Sequence, residues 1–551
     1  MARPTVRLIL HVAVVCLGAL QFGYHLSELN APEAYISCQV KYLDAYTDEL
    51  YGPADHFANS TGGHHEFGVP GSSMHAAGPH GGHHGSQSSS GLVDCIPMDA
   101  NQIGLINSIF SIGGLLSATV AGRAADRFGR KGLTMVNCVS YIIGPVIMAT
   151  ATNFGVLMLG RFVSGIGSGA ALIVIPMYLN EISPLELSGA VGAMCQLFVN
   201  IGILLAQVMG IFFSSFVGWR VILSGGGVIA VANLLLAPFC YESPKWMVLK
   251  NRTSEARRII YKLRGLGPET ADGVYADIEL EIAAWRETAV GTAAADADSL
   301  DSIEPVASSY GAIAPSKEAL LDGDDLASIS DRSAEPAGDF AKVSYREFLT
   351  SRRYRSPLVA VLLVLTAQQF CGINTMIFYG VTILRELFPT ATVLINVLIS
   401  TLNVLVNAAV SPFVDRVGRK PLIMASMLGM SVSAALLGIG ILKNVNVLSA
   451  IAATVFVAMF SVGLGPIPFL IIPEFTDASS VGVAQSVGFT CNWVSIFIVG
   501  YLFPILNQAM GGAVFFLLAA IAASYFLASF KLVPETKGKT SMEQVWGDKL
   551  L

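Results

Sequence analysis

The sequence predicts an all-α integral membrane protein with twelve transmembrane helices, arranged as two halves of six. Three observations lead to this prediction. Of the 551 residues, 53% are apolar and only 13% are charged, whereas soluble domains carry about 25% charged residues. Apolar runs of about twenty residues, the length of a membrane span, occur twelve times in two sets of six. Charged motifs at the ends of these runs also occur twice, once in each set.

Each apolar run is long enough to cross about 30 Å of hydrocarbon as a helix rising 1.5 Å per residue. Lipid offers the backbone no hydrogen bonds, so runs of this length form helices. The runs are 8–27, 102–122, 133–151, 156–179, 190–213, 218–239, 358–384, 391–414, 421–442, 447–471, 481–503 and 512–531. The first run resembles a signal peptide, but no small-residue cleavage site follows it. We therefore interpret it as the first transmembrane helix.

The runs divide the chain into three parts. These are an N-terminal half (1–240), a cytoplasmic central segment (241–357) and a C-terminal half with a short tail (358–551). Within the central segment, residues 253–290 are predicted to form amphipathic helices. Residues 291–341 contain eleven acidic and two basic residues, a net charge of −9 that is typical of disordered segments.

Basic residues in the short loops predict the orientation, because such loops stay in the cytoplasm. Arg123, Arg127, Arg130 and Lys131 follow the second run, and Arg416, Arg419 and Lys420 follow the eighth. We therefore expect both termini in the cytoplasm and the 38–98 loop on the extracellular or luminal side. Outside the acidic segment the net charge is only +3, which does not favour nucleic-acid binding.

The 38–98 loop carries features of an exported segment. Cys38 and Cys95 bracket it, and we predict that they form a disulfide. Asn59 begins an Asn-Ser-Thr sequon and is a predicted glycosylation site. Seven of the nine histidines lie here among Gly and Ser. Metal capture is one interpretation, but we favour a flexible solvated loop and predict no metal site and no cofactor.

Three charged motifs recur at nearly constant spacing, which indicates an internal duplication. Asp126-Arg-Phe-Gly-Arg130 matches Asp415-Arg-Val-Gly-Arg419, at an offset of 289 positions. Glu181 matches Glu474, and Glu242 matches Glu535, both at an offset of 293. We infer a parallel repeat of six helices.

These motifs, in this order, resemble those of the sugar porters of the major facilitator superfamily. Gln21–Pro32 resembles the first helix of their animal and fungal glucose facilitators, Gln368–Asn374 the seventh and Gly465–Pro468 the tenth. The resemblance covers nearly the whole chain except the 38–98 loop and the 291–341 segment. It implies the major facilitator fold and a carrier of hexoses, glucose first among them, that works by alternating access with its substrate site between the halves.

The resemblance also implies that charged residues latch the two halves together at the cytoplasmic face. Those residues are Asp126, Arg130, Arg161, Glu181, Glu242, Asp415, Arg419 and Glu474. The alternative is that the basic loops serve topology alone. In the family, an arginine usually stands seven residues after the glutamate of the fourth helix and after that of the tenth helix. Counted from Glu181 and Glu474, those positions are Ser188 and Val481 here. Glu181 is left with Arg127, Arg130 or Arg419 as its partner.

Polar residues inside the runs are nearly all neutral amides. An amide both donates and accepts hydrogen bonds, as sugar hydroxyls do, so the pattern favours an uncharged sugar or polyol. The alternative is that the amides hold helices together. The resemblance assigns hexose contacts to Gln196, Gln368, Gln369, Asn374, Asn403, Asn492 and Trp493. Phe469 and Ser461 stand where glucose facilitators often have Trp and Glu.

The resemblance places His25 where proton symporters of the family carry Asp, opposite the arginine of the fourth helix, which is Arg161 here. A nearby arginine disfavours a protonated imidazole, so we expect facilitated diffusion, with a proton-coupled sugar or polyol symporter as the alternative. A non-transporting sugar sensor is a further alternative, disfavoured by the roughly twenty residues after the last run. No catalytic motif indicates an enzyme. We expect a monomer in the lipid bilayer, and the plasma membrane and the vacuole both remain open.

Overall fold

The computed structural model describes most of the chain, and the described part is helical. The described residues are 5–39, 93–184, 187–266, 278–283, 285–286, 343–385, 388, 391–477, 480–539 and 542–547. Asn59, the seven loop histidines and the acidic segment lie outside these residues. The side chains of Asp415 and Phe469 also lie outside the described part.

The long helices coincide with the predicted apolar runs, and the predicted fold class is confirmed. In the N-terminal half they are α1 (Val6–Ser27), α2 (Ala100–Phe128), α3 (Arg130–Ala149), α4 (Phe154–Ile182), α5 (Ser188–Phe213) and α6 (Trp219–Leu236). In the C-terminal half they are α7a (Arg352–Phe370), α7b (Ile373–Arg385), α8 (Thr392–Val410), α9 (Arg419–Leu442), α10a (Asn446–Val462), α10b (Ile467–Phe475), α11 (Val481–Met510) and α12 (Val514–Leu532).

Ten stretches of the described chain are long and apolar enough to cross a membrane. One of them, Val481–Leu532, contains both α11 and α12, and α10a is a shorter apolar helix that α10b continues. The described helices are thus consistent with twelve crossings.

Two of the crossing helices are broken in their middle. Helix α7 breaks at Gly372, whose φ of +98° is a left-handed conformation that favours glycine. A Cβ at this position would lie 3.0 Å from the Leu518 side chain. Helix α10 breaks between Val462 and Ile467, within a Gly-Leu-Gly-Pro sequence. These breaks free backbone groups inside the hydrocarbon region, where protein groups must satisfy them.

Glycines let α2 and α4 approach closely. A Cβ at Gly165 would lie 2.1 Å from the Phe110 carbonyl oxygen, and one at Gly113 would lie 2.2 Å from that of Phe162. Small residues at such contacts bring two backbones together, and this packing supplies association energy that lipid cannot. The contact places Arg161 of α4 beside α1 and α2, at the centre of the N-terminal half.

Short helices lie at the face where α1 begins, which the basic loops predict to be cytoplasmic. They are Pro244–Leu249, Thr253–Arg264, Tyr345–Thr350 and Met542–Trp546, and residues 278–283 are also helical. Thr253–Arg264 is amphipathic and buries Ala256, Ile259, Ile260 and Leu263, as predicted for the start of the central segment. The Thr5 hydroxyl donates to the Leu263 carbonyl and ties this helix to the N-terminus of α1.

The ends of the 38–98 loop are fixed at the opposite face. A disulfide joins Cys38 to Cys95, with 5.3 Å between the Cα atoms. The Arg220 guanidinium donates to the carbonyls of Val93, Ala149 and Ala151, and thereby binds the end of the loop to the turn after α3.

We expect Gly165→Ala to destabilise the protein by about 1–3 kcal/mol, because the added methyl overpacks the α2–α4 contact. Gly122→Ala is the control, since nothing lies within 4 Å of a Cβ there. Alanine also has the better helix propensity, so the control should melt at the wild-type temperature or above it. The measurement is the thermal melting of both variants in the same detergent. Equal melting temperatures for the two variants would contradict the close packing described here.

Candidate functional site

Gln368 of α7a bonds the backbone carbonyls that the break in α10 leaves without helical partners. Its side-chain amide donates to the carbonyls of Leu464, at 2.9 Å, and Gly465, at 3.3 Å. These carbonyls lie between α10a and α10b, where the helix supplies no regular partner. The α10 break therefore depends on a side chain from a neighbouring helix, and the two broken helices meet at this point.

Gln368 also belongs to a cluster of four buried amides, which we call the central amide cluster: Gln368, Gln369, Asn374 and Asn492. Asn492 donates to Gln368 at 2.9 Å, Asn374 donates to Gln369 at 2.6 Å, and Gln369 donates to Asn492 at 3.3 Å. All four were singled out in the sequence. The structure brings them together from α7a, α7b and α11.

A second set of polar groups, which we call the bridging chain, joins the two halves. Gln196 donates to Asn200 within α5, at 3.2 Å. Asn200 donates across to Asn403 of α8 at 3.4 Å, and the Ser461 hydroxyl of α10a donates to the same Asn403 oxygen. Ser461, which stands where glucose facilitators often have glutamate, thus acts as a hydrogen-bond donor to Asn403.

Trp493 lies at the interface between the halves. Its ring is 1% exposed and lies edge-on to Phe22 of α1 and Phe110 of α2, with centroids 6.1 and 6.3 Å away. A Cβ at Gly114 would lie 2.5 Å from the indole, so this glycine makes room for the ring. An aromatic wall from both halves therefore stands next to Asn492. The Phe469 side chain lies outside the described part.

A buried charged group in the N-terminal half was not identified from the sequence. The Arg161 guanidinium donates to the Glu28 carboxylate at 2.9 Å and to the His25 carbonyl at 2.6 Å. The other Glu28 oxygen lies 3.0 Å from His25 Nδ1. All three side chains are fully buried. Glu28 therefore lies between the two residues that the sequence analysis expected to face each other.

The expected place of Arg161 in the cytoplasmic latch is wrong. Arg161 lies in the first half of α4, twenty residues before Glu181 on the same helix. At 1.5 Å per residue this separates the two by about 30 Å, which is the thickness of the hydrocarbon. Its guanidinium also lies 4.7 Å from the Phe110 ring centroid. Arg161 belongs with Glu28 and His25 and not with the cytoplasmic charges.

The charges of the N-terminal half at the face predicted to be cytoplasmic form one compact cluster, and we call this cluster and its counterpart in the C-terminal half the cytoplasmic clusters. Arg130 bonds both Glu181 oxygens, at 2.7 and 2.8 Å, and Asp126 at 3.1 Å. Glu242 accepts from the backbone N–H groups of Arg130 and Lys131, so it caps the N-terminus of α3. Gly129 is required here, because its φ is +83° and a Cβ would lie 2.3 Å from Glu242. Of the three arginines left open for Glu181, the structure places Arg130 beside it.

Lys245, on the helix Pro244–Leu249, lies near this cluster. Burial lowers the pKa of the Lys245 ammonium from its ordinary value, although the Glu181 carboxylate opposes the effect. Arg130 and Glu181 are only 3% and 7% exposed, so solvent screens their ion pair less than it would a surface pair.

The C-terminal half repeats this arrangement. Arg419 bonds Glu474 at 2.9 Å, and Glu535 accepts from the N–H groups of Arg419 and Lys420. Gly418 has a φ of +108°, and a Cβ there would lie 2.8 Å from Glu535. The motifs that recur along the sequence at nearly constant offsets thus make the same contacts in both halves. The contacts named for each cluster join helices of its own half.

At the opposite face, the segment after α1 binds α7b. The Asn30 amide donates to the Ile377 carbonyl at 2.8 Å and accepts from Val381 N–H at 2.9 Å, so it bonds both groups of one helical rung. Glu33 accepts from Thr382 at 2.9 Å. Burial raises the pKa of Glu33 to about 7, opposed by this hydrogen bond and by Arg385. We call these contacts the outer clasp.

Several buried polar atoms have no hydrogen-bond partner within the described chain. They include both amide atoms of Gln21 and of Asn233, Gln207 Oε1, Asn407 Nδ2 and His25 Nε2. Such groups are costly unless water or a ligand bonds them. These atoms therefore have hydrogen-bonding capacity left for water or a ligand.

Comparison with known proteins agrees with this architecture. A family model described as "Sugar (and other) transporter" matches residues 11–297 and 315–546. The chain is 36% identical to the probable metabolite transport protein YBR241C of Saccharomyces cerevisiae, covering 98% of this chain and 95% of the relative. It is 28% identical to the mouse facilitated glucose transporter member 4 of solute carrier family 2, covering 98% and 90%.

Among solved structures, the inward-open conformation of the xylose transporter XylE from E. coli matches with a TM-score of 0.65. The identity is 20%, and the match covers 98% of this chain and all of that one. This similarity supports the fold.

The burial of the two cytoplasmic clusters predicts different responses to Arg→Lys substitution. Arg130 and Glu181 are 3% and 7% exposed, whereas Arg419 and Glu474 are 16% and 25% exposed. Lysine cannot reproduce the forked contact, so we expect Arg130→Lys to cost about 2 kcal/mol and Arg419→Lys less than about 1 kcal/mol. Thermal melting of both variants in one detergent measures this. A larger loss for Arg419→Lys would contradict the prediction.

Proposed function

This chain belongs to the sugar transporter family, and from that premise we propose that it carries hexoses, glucose first among them, across a membrane by alternating access. The observation that carries the proposal is the central amide cluster, whose four neutral side chains are buried where the broken helices α7 and α10 meet. Neutral amides can donate to and accept from sugar hydroxyls without the desolvation cost of a charge.

The charges of the spans also support a neutral substrate. An anionic substrate is bound by Arg or Lys, and a cationic one by Asp or Glu. In the described part of the chain, Arg161 of α4 and Glu28, which directly follows α1, already compensate each other in a buried ion pair. A substrate that needs no counter-charge fits this interior best. We therefore propose that the protein transports sugars rather than ions and is not an enzyme.

The site residues follow from this assignment. We propose that the sugar contacts the central amide cluster together with Gln196 and Asn403 of the bridging chain, and that Trp493 and Phe469 offer apolar surface to its C–H groups. Because the bridging chain spans both halves, a sugar that replaces its weak 3.4 Å contact would link them instead.

The two moving units in this proposal are residues 1–240 and 358–551, joined by 241–357. The outer clasp must open for the sugar to enter from outside. In the opposite state, we propose that the two cytoplasmic clusters meet and latch the halves together, with Asp415 on the C-terminal side, while the ion pairs within each cluster stay formed. The chain is a multi-pass membrane protein; we propose that it acts as a monomer in the plasma or vacuolar membrane, with both termini in the cytoplasm and Asn59 glycosylated.

A second candidate is proton-coupled sugar transport, and the buried group of His25, Glu28 and Arg161 favours it. A carboxylate paired with an arginine can bind a proton when the pair separates, and His25 Nε2 lacks a partner in the described chain. Facilitated diffusion stays our first proposal, because no observation requires this pair to separate during transport.

We expect Gln369→Ala to raise the KM for glucose about tenfold or more, because it removes an amide that bonds the sugar. The measurement is labelled glucose uptake into proteoliposomes. Gln508→Ala is the matched control, since it removes an exposed amide from the outer end of α11. A panel of glucose, fructose, galactose, xylose and inositol identifies the preferred sugar. Wild-type vesicles that carry no monosaccharide would contradict the proposed function.

A pH jump separates the two coupling modes. For facilitated diffusion, we expect glucose to equilibrate across the vesicle membrane without accumulating, whichever side is acidic. Proton coupling instead predicts accumulation driven by the pH gradient, which Glu28→Gln and His25→Asn would abolish while sugar exchange persists. Glu255→Gln, an exposed cytoplasmic change, is the control. Accumulation by wild type that Glu28→Gln abolishes would overturn our first proposal in favour of the second.

A further inference from the structure

We propose that a pocket at the cytoplasmic end of α1 binds a phosphate group, and that the headgroup of an anionic membrane lipid supplies it. The pocket has a volume of about 420 Å³ and lies between α1 and the helix Thr253–Arg264. This volume is within the range of small-molecule sites. Its polar lining consists of Arg7, Ser254, Arg257, Arg258, Tyr261 and Lys262.

The lining is strongly basic. Four of these residues are cations, and none of the residues that line the pocket is acidic. Arg257 is compensated by Glu279, with contacts of 2.5 and 2.7 Å. No carboxylate of the described chain pairs with Arg7, Arg258 or Lys262, which leaves three cations around one concavity. Clustered arginine and lysine side chains with hydroxyl groups between them are suited to phosphate oxygens.

The position of the pocket favours a lipid over a soluble ion as the source of the phosphate. Val6, Ile9 and Leu10 of α1 are 73%, 52% and 60% exposed, and such apolar side chains on a membrane helix face the acyl chains. Arg7 lies among them in the sequence and lines the pocket. A lipid could therefore place its phosphate in the pocket while its chains lie along α1. Anionic lipids are enriched in the cytoplasmic leaflet, which this face contacts.

The walls of the pocket are well packed and connect to the transport core. Ile259, Ile260 and Leu263 anchor one wall, and the Thr5 hydroxyl ties that wall to α1. The Lys262 ammonium lies 5.3 Å from the Tyr241 ring centroid, and that ring stacks on His11 of α1 at 4.9 Å. Since α1 ends at Ser27 and leads directly into Glu28, an occupant of the pocket would brace the helix that positions the buried charged group.

The test measures binding and needs no transport activity. Purified full-length protein in detergent is titrated with dioctanoyl phosphatidylinositol 4-phosphate, and bound lipid is counted by native mass spectrometry. Arg258→Gln/Lys262→Gln removes two pocket charges. Arg346→Gln/Arg352→Gln is the matched control, since it removes two exposed charges from the cytoplasmic side of the other half. We expect the pocket variant to weaken binding about tenfold or more, and the control less than about twofold. Melting temperatures verify folding, and Arg7→Gln gives an independent variant of the opposite wall.

Competition identifies the source of the phosphate. If soluble inositol 1,4-bisphosphate or inorganic phosphate binds far more weakly than the lipid, and the lipid depends on the pocket charges, the proposal holds in full. If the soluble ions bind as tightly and show the same dependence, the phosphate site stands, but the lipid as its source is wrong. If both double variants weaken the lipid equally, or if no probe binds, the proposal is wrong.

Discussion

The constraint on which this structure depends is that hydrocarbon offers the backbone no hydrogen bonds. A membrane helix can break only where another protein group takes over the freed carbonyls and N–H groups. The α10 break is satisfied by the Gln368 amide, and Asn30 bonds both groups of a rung of α7b. The interior amides therefore have a structural role before they have a functional one. They permit the breaks in α7 and α10, and in the proposed function the same groups contact the sugar. One amide side chain can therefore both hold neighbouring helices together and bind the sugar.

The sequence was sufficient for the features that depend on local pattern. Runs of the length of a membrane span predicted the helices, and the equal motif offsets predicted the repeat that Arg130–Glu181 and Arg419–Glu474 display. These features could be predicted because each rests on spacing along the chain, which the sequence contains directly.

Features that depend on which side chains meet across helices were less accessible. Glu28 was overlooked because it follows the last apolar residues of the first run and resembles the start of a loop. The structure instead buries it one helical turn after His25 and against Arg161. Arg161 was assigned to the cytoplasmic face on the basis of its charge. Charge alone does not indicate how deep in the membrane a residue lies, whereas the position of Arg161 along α4 does. A signal was available: a lone acid within one turn of a buried histidine needs a cation, and Arg161 was the unpaired candidate. The role of Ser461 depends on Asn403, 58 residues earlier in the chain, so no local pattern could reveal it.

The kinds of contact within and between the halves differ in a way that suits alternating movement. The ion pairs described for the buried group and the two cytoplasmic clusters each lie within one half. Separating the buried pairs Arg130–Glu181 and Arg161–Glu28 costs several kcal/mol, and separating the more exposed Arg419–Glu474 costs less, so these pairs hold each half together as a unit. The polar contacts described between the halves are mainly neutral hydrogen bonds, such as Asn200 to Asn403 and Asn30 to α7b. Each is worth about 1 kcal/mol net, because water or a sugar hydroxyl can replace the partner. A barrier made of a few such bonds can be crossed repeatedly, whereas buried ion pairs between the halves would hold the carrier in one state. The distribution of charge within the halves and amides between them thus permits movement without loss of the fold.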